Sequence, residues 1–181
     1  KHKFKSKKDR HYYYWFRRKV FKAYPYAVLA SKRLDSVEQR LKSIKSRSKQ
    51  RQYVRRVQAY VEKELTDQLK EMTKTEGRVL IKLIHRQTGK TAFENIRELR
   101  SGWKAFWYNS TANVFNLSLK DKYIPKIENE DYLIEEILQR GYLNDKLEFQ
   151  QHKLDFNGIE VVENKKGHIN VDVYIEKFAK K

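Results

Sequence analysis

Residues 33–72 read RLDSVEQRLKSIKSRSKQRQYVRRVQAYVEKELTDQLKEM, and the spacing of their apolar side chains sets the architecture. Leu34, Val37, Leu41 and Ile44 step by 3, 4 and 3, a seam along one helical face. Ser46-Arg47-Ser48-Lys49 interrupts it, and Val54, Val57, Val61, Leu65, Leu69 and Met72 resume with steps of 3, 4, 4, 4 and 3. Two amphipathic helices with so short a polar break between them bury both seams by folding back on each other. An antiparallel helical hairpin is therefore expected.

Upstream, Tyr12-Tyr13-Tyr14-Trp15-Phe16 sets five consecutive aromatics beside Arg17-Arg18-Lys19, with a helix as the natural host. Pro25 lacks a backbone donor and disfavours helical geometry at Tyr24, so a kink or break is expected there, with Pro25 in the first turn of the next helix. Lys1 to Arg10 is almost wholly charged and reads as a solvated arm. Downstream, Thr73-Lys74-Thr75-Glu76 and Thr91-Ala92-Phe93-Glu94 have the form of capping boxes, each opening a helix. Gly89 between them suits a left-handed helix end. Asn129 opens a further helix carrying Leu133, Ile134, Ile137 and Leu138, which Gly141 closes. Trp103, Phe106, Trp107 and Tyr108 lie within two helical turns and read as core, with a partner groove as the alternative.

The last forty residues change character. Leu154 to Val161 and Ile169 to Ile175 alternate with period two, and Asn157-Gly158 and Lys166-Gly167 are turn signals. The expected fold is thus mainly α, an antiparallel helical hairpin plus a helical bundle, with a small C-terminal β-hairpin. The expected organisation is a basic arm over 1–11, a helical domain over 12–141 and a β-hairpin extension over 142–181.

Charge is distributed unevenly. The 181 residues carry 41 Lys/Arg against 23 Asp/Glu, a net charge of +18. Residues 1–56 hold 20 of the Lys/Arg and only three acids, Asp9, Asp35 and Glu38, so nearly all the excess lies in the first third. Such a field attracts polyanions: nucleic acid, anionic lipid or acidic protein surfaces. Aromatics at 13% argue for a folded core. There is no cysteine, which removes disulfides, zinc ribbons and thiol nucleophiles, and no apolar run is long enough to span a membrane.

The chemistry of catalysis finds little support. Gln87-Thr88-Gly89-Lys90-Thr91 resembles the end of a phosphate-binding loop, but the glycine that the motif needs five positions before Gly89 is Ile84. The five histidines are dispersed, without the spacing that puts two ligands on one helical face. His85 reads as a satisfied or surface histidine in preference to a general base. Glu128, Glu130 and Asp131 are explained as acids at a helix start. No catalytic residue, cofactor or metal site is expected.

The expected partner-binding set is the basic aromatic opening with the start of the second hairpin helix: Lys7, Lys8, Arg10, Tyr12, Tyr13, Trp15, Arg17, Arg18, Lys19, Lys22, Arg47, Lys49, Arg51, Arg55 and Arg56. Lys and Arg neutralise anionic groups, while Tyr and Trp lie well at a protein, lipid or nucleic-acid interface. Reversing Arg17, Arg18, Lys19 and Lys22 to Glu is expected to abolish association while leaving the body folded.

Four separated stretches carry a family resemblance: Val20 to Ala27 (VFKAYPYA), Thr75 to Ile84 (TEGRVLIKLI), Arg86 to Thr91 (RQTGKT) and Glu98 to Trp103 (ELRSGW). They resemble a family of uncharacterised bacterial envelope proteins from the Bacteroidota, over about residues 12–141. The resemblance implies a secretion signal, a periplasmic, outer-membrane-associated location and no enzymatic activity. It implies a scaffold or accessory subunit of a larger envelope complex, with the type 9 secretion apparatus as the candidate assembly, meeting a protein partner or an anionic lipid surface. The alternative is a cytoplasmic, ribosome-associated protein that binds nucleic acid through the same basic surface.

Overall fold

The computed structural model describes residues 4, 6–98 and 118–164. Among them are six helices: α1 (Lys7–Ser43), α2 (Arg47–Lys70), α3 (Lys74–Thr88), α4 (Ala92–Glu98), α5 (Asn129–Leu143) and α6 (Gly158–Asn164). The chain forms two compact units. One takes Lys1–Phe21, Ile124–Phe149 and Asp155–Lys181, and the other takes Lys22–Tyr123 and Gln150–Leu154.

α1 begins earlier than its charge pattern suggests. Ser6 Oγ accepts from Asp9 N at 3.0 Å and Asp9 Oδ2 accepts from Ser6 N at 3.1 Å, a reciprocal cap that draws Lys7–Arg10 into the first turn and out of the expected solvated arm. Nor does Pro25 break the helix, which runs through it to Ser43. Ala23, Tyr24 and Ala27 around it are buried while Pro25 is exposed, so packing holds the turns on either side and the missing hydrogen bond falls on the solvent side.

The larger unit is built on the expected hairpin. Arg33 sits over the Tyr60 ring at 5.6 Å, and Gln50 Nε2 donates to Leu41 O at 3.1 Å, so residues rising along α2 meet residues falling along α1. Val37, Val54, Leu69 and Met72 are buried on the seams. α3 opens on the Thr73–Glu76 capping box, with Thr73 N donating to Glu76 Oε2 at 2.8 Å, and α4 opens on the Thr91–Glu94 box. Gly89 ends α3 at φ +74°, as its position suggests.

Carbonyls of the last turn of α3 are taken up by groups at and beyond the helix end. Ile84 O accepts from Thr88 Oγ1, His85 O from Gly89 N, Arg86 O from Lys153 N and Gln87 O from Ser31 Oγ. Tyr24 Oη accepts from Gln150 N, and Gln87 Nε2 donates to Gln150 Oε1 at 2.8 Å, so the segment 150–154 is tied to this helix end.

In the other unit the expected C-terminal β-hairpin is not formed. Residues 158–164 of its first strand and turn are the helix α6, and no strand occurs among the described residues. Asn157 supplies the reason: its Oδ1 accepts from Ile159 N at 3.0 Å and Glu160 N at 3.3 Å, so the Asn-Gly pair starts a helix where a hairpin turn was expected. Val161 and Gly158 are then buried on one side of α6, and the Tyr132 hydroxyl on α5 lies 3.5 Å from Val162 O. The second expected strand, Ile169 to Ile175, lies outside the described residues, as do Trp103, Phe106, Trp107 and Tyr108.

α5 begins at Asn129 as expected and departs from expectation at its C-terminal end. Its N-cap is Glu128, without a side-chain cap bond, so Asn129 is its first helical residue. Gly141 does not close it: the helix runs on to Leu143, and Asp145 takes the left-handed position at φ +51°. Gly141 instead makes room for Leu147, whose Cδ1 would stand 2.7 Å from a Cβ built there.

Candidate functional site

The side chains expected to bind a partner separate on folding. Tyr12 and Tyr13 are buried, so they belong to the core and not to a binding surface. Tyr13 Oη donates to the buried Glu136 Oε2 at 2.9 Å, and Arg140 Nε donates to the same carboxylate. Trp15 is half-buried against the Tyr12 ring, 5.5 Å between centroids, with Lys19 Nζ 5.8 Å from its own ring. The half-buried Arg17 lies over Phe21 at 5.0 Å. Lys7, Lys8, Arg10 and Arg18 are exposed along the same stretch of α1.

Lys22 has structural work of its own. Its Nζ meets Glu76 Oε2 at 3.2 Å, and Glu76 is the carboxylate that caps α3. Reversing Arg17, Lys19 and Lys22 therefore disturbs packing and a cap as well as charge, which makes that variant a poor test of binding.

The remaining predicted residues do converge. Arg47, Lys49, Arg51, Arg55 and Arg56 are all exposed on the first turns of α2, and the hairpin sets Arg40, Lys42 and Lys45 beside them at its apex, exposed as well. These last three were missed from sequence, although the signal was present: residues 39–61 contain eight Lys/Arg and no Asp or Glu. The interruption at Ser46-Arg47-Ser48-Lys49 divides that run between two helices, and only the fold-back makes it one surface.

The apex itself is held firmly. Gln50 Nε2 bridges Leu41 O and Ile44 O, at 3.1 and 2.8 Å, Ser43 Oγ donates to Arg40 O at 2.8 Å, and Ser46 Oγ accepts from Lys49 N at 3.5 Å. Among the described residues only Lys42 of the eight cations has an ion-pair partner, Glu38 at 3.0 Å, and that bond holds the Glu38 carboxyl below its ordinary range. The other helices carry an acid in the first turn, which suits the positive end of the helix dipole. α2 carries none there and sets Arg47 and Lys49 in its place. The apex thus concentrates positive charge beyond what stability of the hairpin favours.

Candidate chemical groups elsewhere have structural explanations. His85 is buried, and its Nδ1 accepts from Tyr123 N at 2.8 Å, which places the ring proton on Nε2. Burial pushes its pKa below the ordinary 6.5, with Lys122 and Lys82 adding to the effect and Glu94 opposing it. The neutral ring's contribution to stability is therefore fully present above pH 6.5 and is lost as pH falls, because the unfolded chain takes up a proton that the folded ring resists. A thermal melting series should show the midpoint falling as pH drops below about 6.5, with that slope reduced in His85→Gln. An unchanged slope would assign the acid sensitivity to other groups.

No group of three or more His, Asp or Glu among the described residues is placed to hold a metal ion. No described helix is long and apolar enough to cross a membrane.

The fold and this surface define an all-helical class of described structure with a basic hairpin apex. The chain belongs to the family of the domain of unknown function DUF4294, which matches residues 1–140. Neither a curated protein nor a solved structure matches it.

Proposed function

We propose that the chain is a non-catalytic docking module of the cell envelope, in which the helical body presents the basic apex of the α1–α2 hairpin to an anionic surface. The observation that carries this reading is the set of eight exposed Lys/Arg on an acid-free run of sequence, gathered at the end of a capped hairpin. Exposed charges contribute little to folding but much to encounter with a partner of opposite sign. The envelope location rests on the resemblance of the four motifs to Bacteroidota envelope proteins. On that reading the chain serves as a periplasmic scaffold or accessory subunit of an outer-membrane-associated complex, with the type 9 secretion machinery as the candidate assembly.

The test is affinity purification of the tagged full-length protein from its native cells, with mass spectrometry of what co-purifies. Envelope proteins should be recovered at low salt and lost both at high salt and in the variant Arg47→Glu, Lys49→Glu, Arg51→Glu, Arg55→Glu and Arg56→Glu. Circular dichroism of that variant serves as the folding control. Recovery dominated by ribosomal proteins and RNA would overturn the envelope reading in favour of nucleic-acid binding.

A further inference from the structure

The geometry points to an anionic lipid surface as the partner of the hairpin apex, with the Arg and Lys side chains meeting phosphate headgroups. This inference rests on the reading of the apex as a docking surface and names what that surface meets.

Charge complementarity is the first argument. Arg40, Lys42, Lys45, Arg47, Lys49, Arg51, Arg55 and Arg56 are all exposed, and no acid interrupts residues 39–61. Clusters of four to eight Lys/Arg near a bilayer are attracted by the negative potential of anionic headgroups. Five of the eight are Arg, whose planar fork matches phosphate oxygens in pairs.

The placement of the charges is the second. On α2, Arg47, Arg51 and Arg55 succeed one another at four-residue spacing along one side of the buried seam, whereas Lys49 and Arg56 fall on the face turned away from it. Lys45 lies in the connection and Arg40 and Lys42 on the last turns of α1. Positive charge therefore surrounds the end of the hairpin instead of forming a strip along one face. An end-on approach to a broad anionic plane brings Arg40, Lys42, Lys45, Arg47, Lys49 and Arg51 toward it together, with Arg55 and Arg56 about two turns further back, whereas a helix reading a groove uses one face.

The third argument is what the apex lacks among the described residues. The exposed large hydrophobics of this unit include Leu29 and Tyr60 on the hairpin, and neither is at the apex. Tyr60 also lies beneath Arg33. Stable protein interfaces draw their energy from desolvated aromatic and aliphatic anchors, and single-stranded nucleic acid is held by rings on which bases stack. At the apex no large apolar side chain is exposed among the described residues, and Ile44 and Tyr53 are half-buried. A wet, screened, peripheral contact with headgroups needs only the charges.

Co-sedimentation of the full chain with vesicles tests this, using phosphatidylcholine alone and phosphatidylcholine with one-third phosphatidylglycerol. The same samples are titrated against a fluorescent duplex DNA and a single-stranded RNA at matched salt. Binding is expected to the anionic vesicles and not to the neutral ones, and to fade as ionic strength rises from about 0.1 M to about 1 M. Lys45→Gln, Arg47→Gln, Lys49→Gln and Arg51→Gln together should lower vesicle affinity at least about tenfold. Gln keeps helix propensity, and a melting curve checks the fold. A control removing equal charge elsewhere, Lys63→Gln, Lys70→Gln, Lys126→Gln and Lys146→Gln, all exposed and outside the expected binding set, should keep most of the binding.

Equal binding to neutral vesicles, an equal loss in the control, or tighter binding to either nucleic acid than to anionic vesicles would each overturn the inference. If the vesicles are ignored while the apex charge-reversal variant still loses an envelope complex in native cells, the lipid assignment falls and the docking reading stands.

Discussion

Glu136→Ala is expected to lower the melting temperature by roughly 10 °C, the largest effect of any single polar substitution in the α1–α5 unit. The Glu136 side chain is nearly fully buried on α5, and its carboxylate accepts from Tyr13 Oη and from Arg140 Nε. Removing one member of a buried, hydrogen-bonded set costs about 3 kcal/mol or more, because the groups left behind keep their desolvation without their partner. Arg140 is 42% exposed in its side chain, so water takes over part of its loss, and the burden falls on the Tyr13 hydroxyl. Tyr13→Phe removes that hydroxyl alone and should cost less, about 1–2 kcal/mol.

The same contact gives an alkaline signature. Burial, then the neighbouring Glu136 charge, push the Tyr13 pKa above its ordinary 10.0. The stability linked to it is fully present below pH 10.0 and is lost as pH rises further, since the unfolded chain ionises first. Melting curves on either side of about pH 10 should show this loss in the native chain and a smaller one in Tyr13→Phe. A Glu136→Ala protein that melts within a degree or two of the native chain would show that Tyr13 finds an equal acceptor elsewhere.

Among the described glycines, Gly158→Val should be the most damaging change. Gly158 is buried at the start of α6, and a Cβ there would overlap the Glu135 carboxylate and the Gln139 amide, two groups already hydrogen-bonded to each other at 2.8 Å along α5. Glu135 is fully buried and cannot swing away. Overpacking of this kind costs about 1–3 kcal/mol, and a β-branched residue brings two further carbons into the same space. Gly158→Ala should cost less, and Gln139→Ala in the same chain should recover part of that loss by removing one of the overlapped groups. If Gly158→Ala were neutral and Gln139→Ala brought no recovery, α6 would not approach α5 through this residue.

The hairpin and both capping boxes were legible in the residues because their causes are local. An apolar seam needs only the spacing of Leu34, Val37, Leu41 and Ile44, and a capping box needs only two side chains three residues apart, as Thr73–Glu76 and Thr91–Glu94 show. Gly89 was legible for the same reason, standing where the pattern of α3 stops. So was the concentration of charge in the first third of the chain, which is a property of composition.

Other features answer to contacts between residues far apart in the chain, and there local rules gave the wrong or an incomplete answer. Pro25 should break a helix, but burial of Ala23, Tyr24 and Ala27 around it keeps α1 continuous. Asn157-Gly158 carries the propensity of a tight turn and equally that of a helix start, and the choice went to the helix, whose glycine lets α6 lie against Glu135 and Gln139. The aromatic run could face a partner or the core. A single hydrogen bond across 123 residues, Tyr13 to Glu136, placed one of its rings inside. The basic residues of α2 gain Arg40, Lys42 and Lys45 as neighbours only when the chain folds back at residues 44–46. Periodicity, capping and charge act within about four residues and are written in the order of the amino acids, whereas the side on which a ring, a glycine or a cation ends up is chosen by what packs against it.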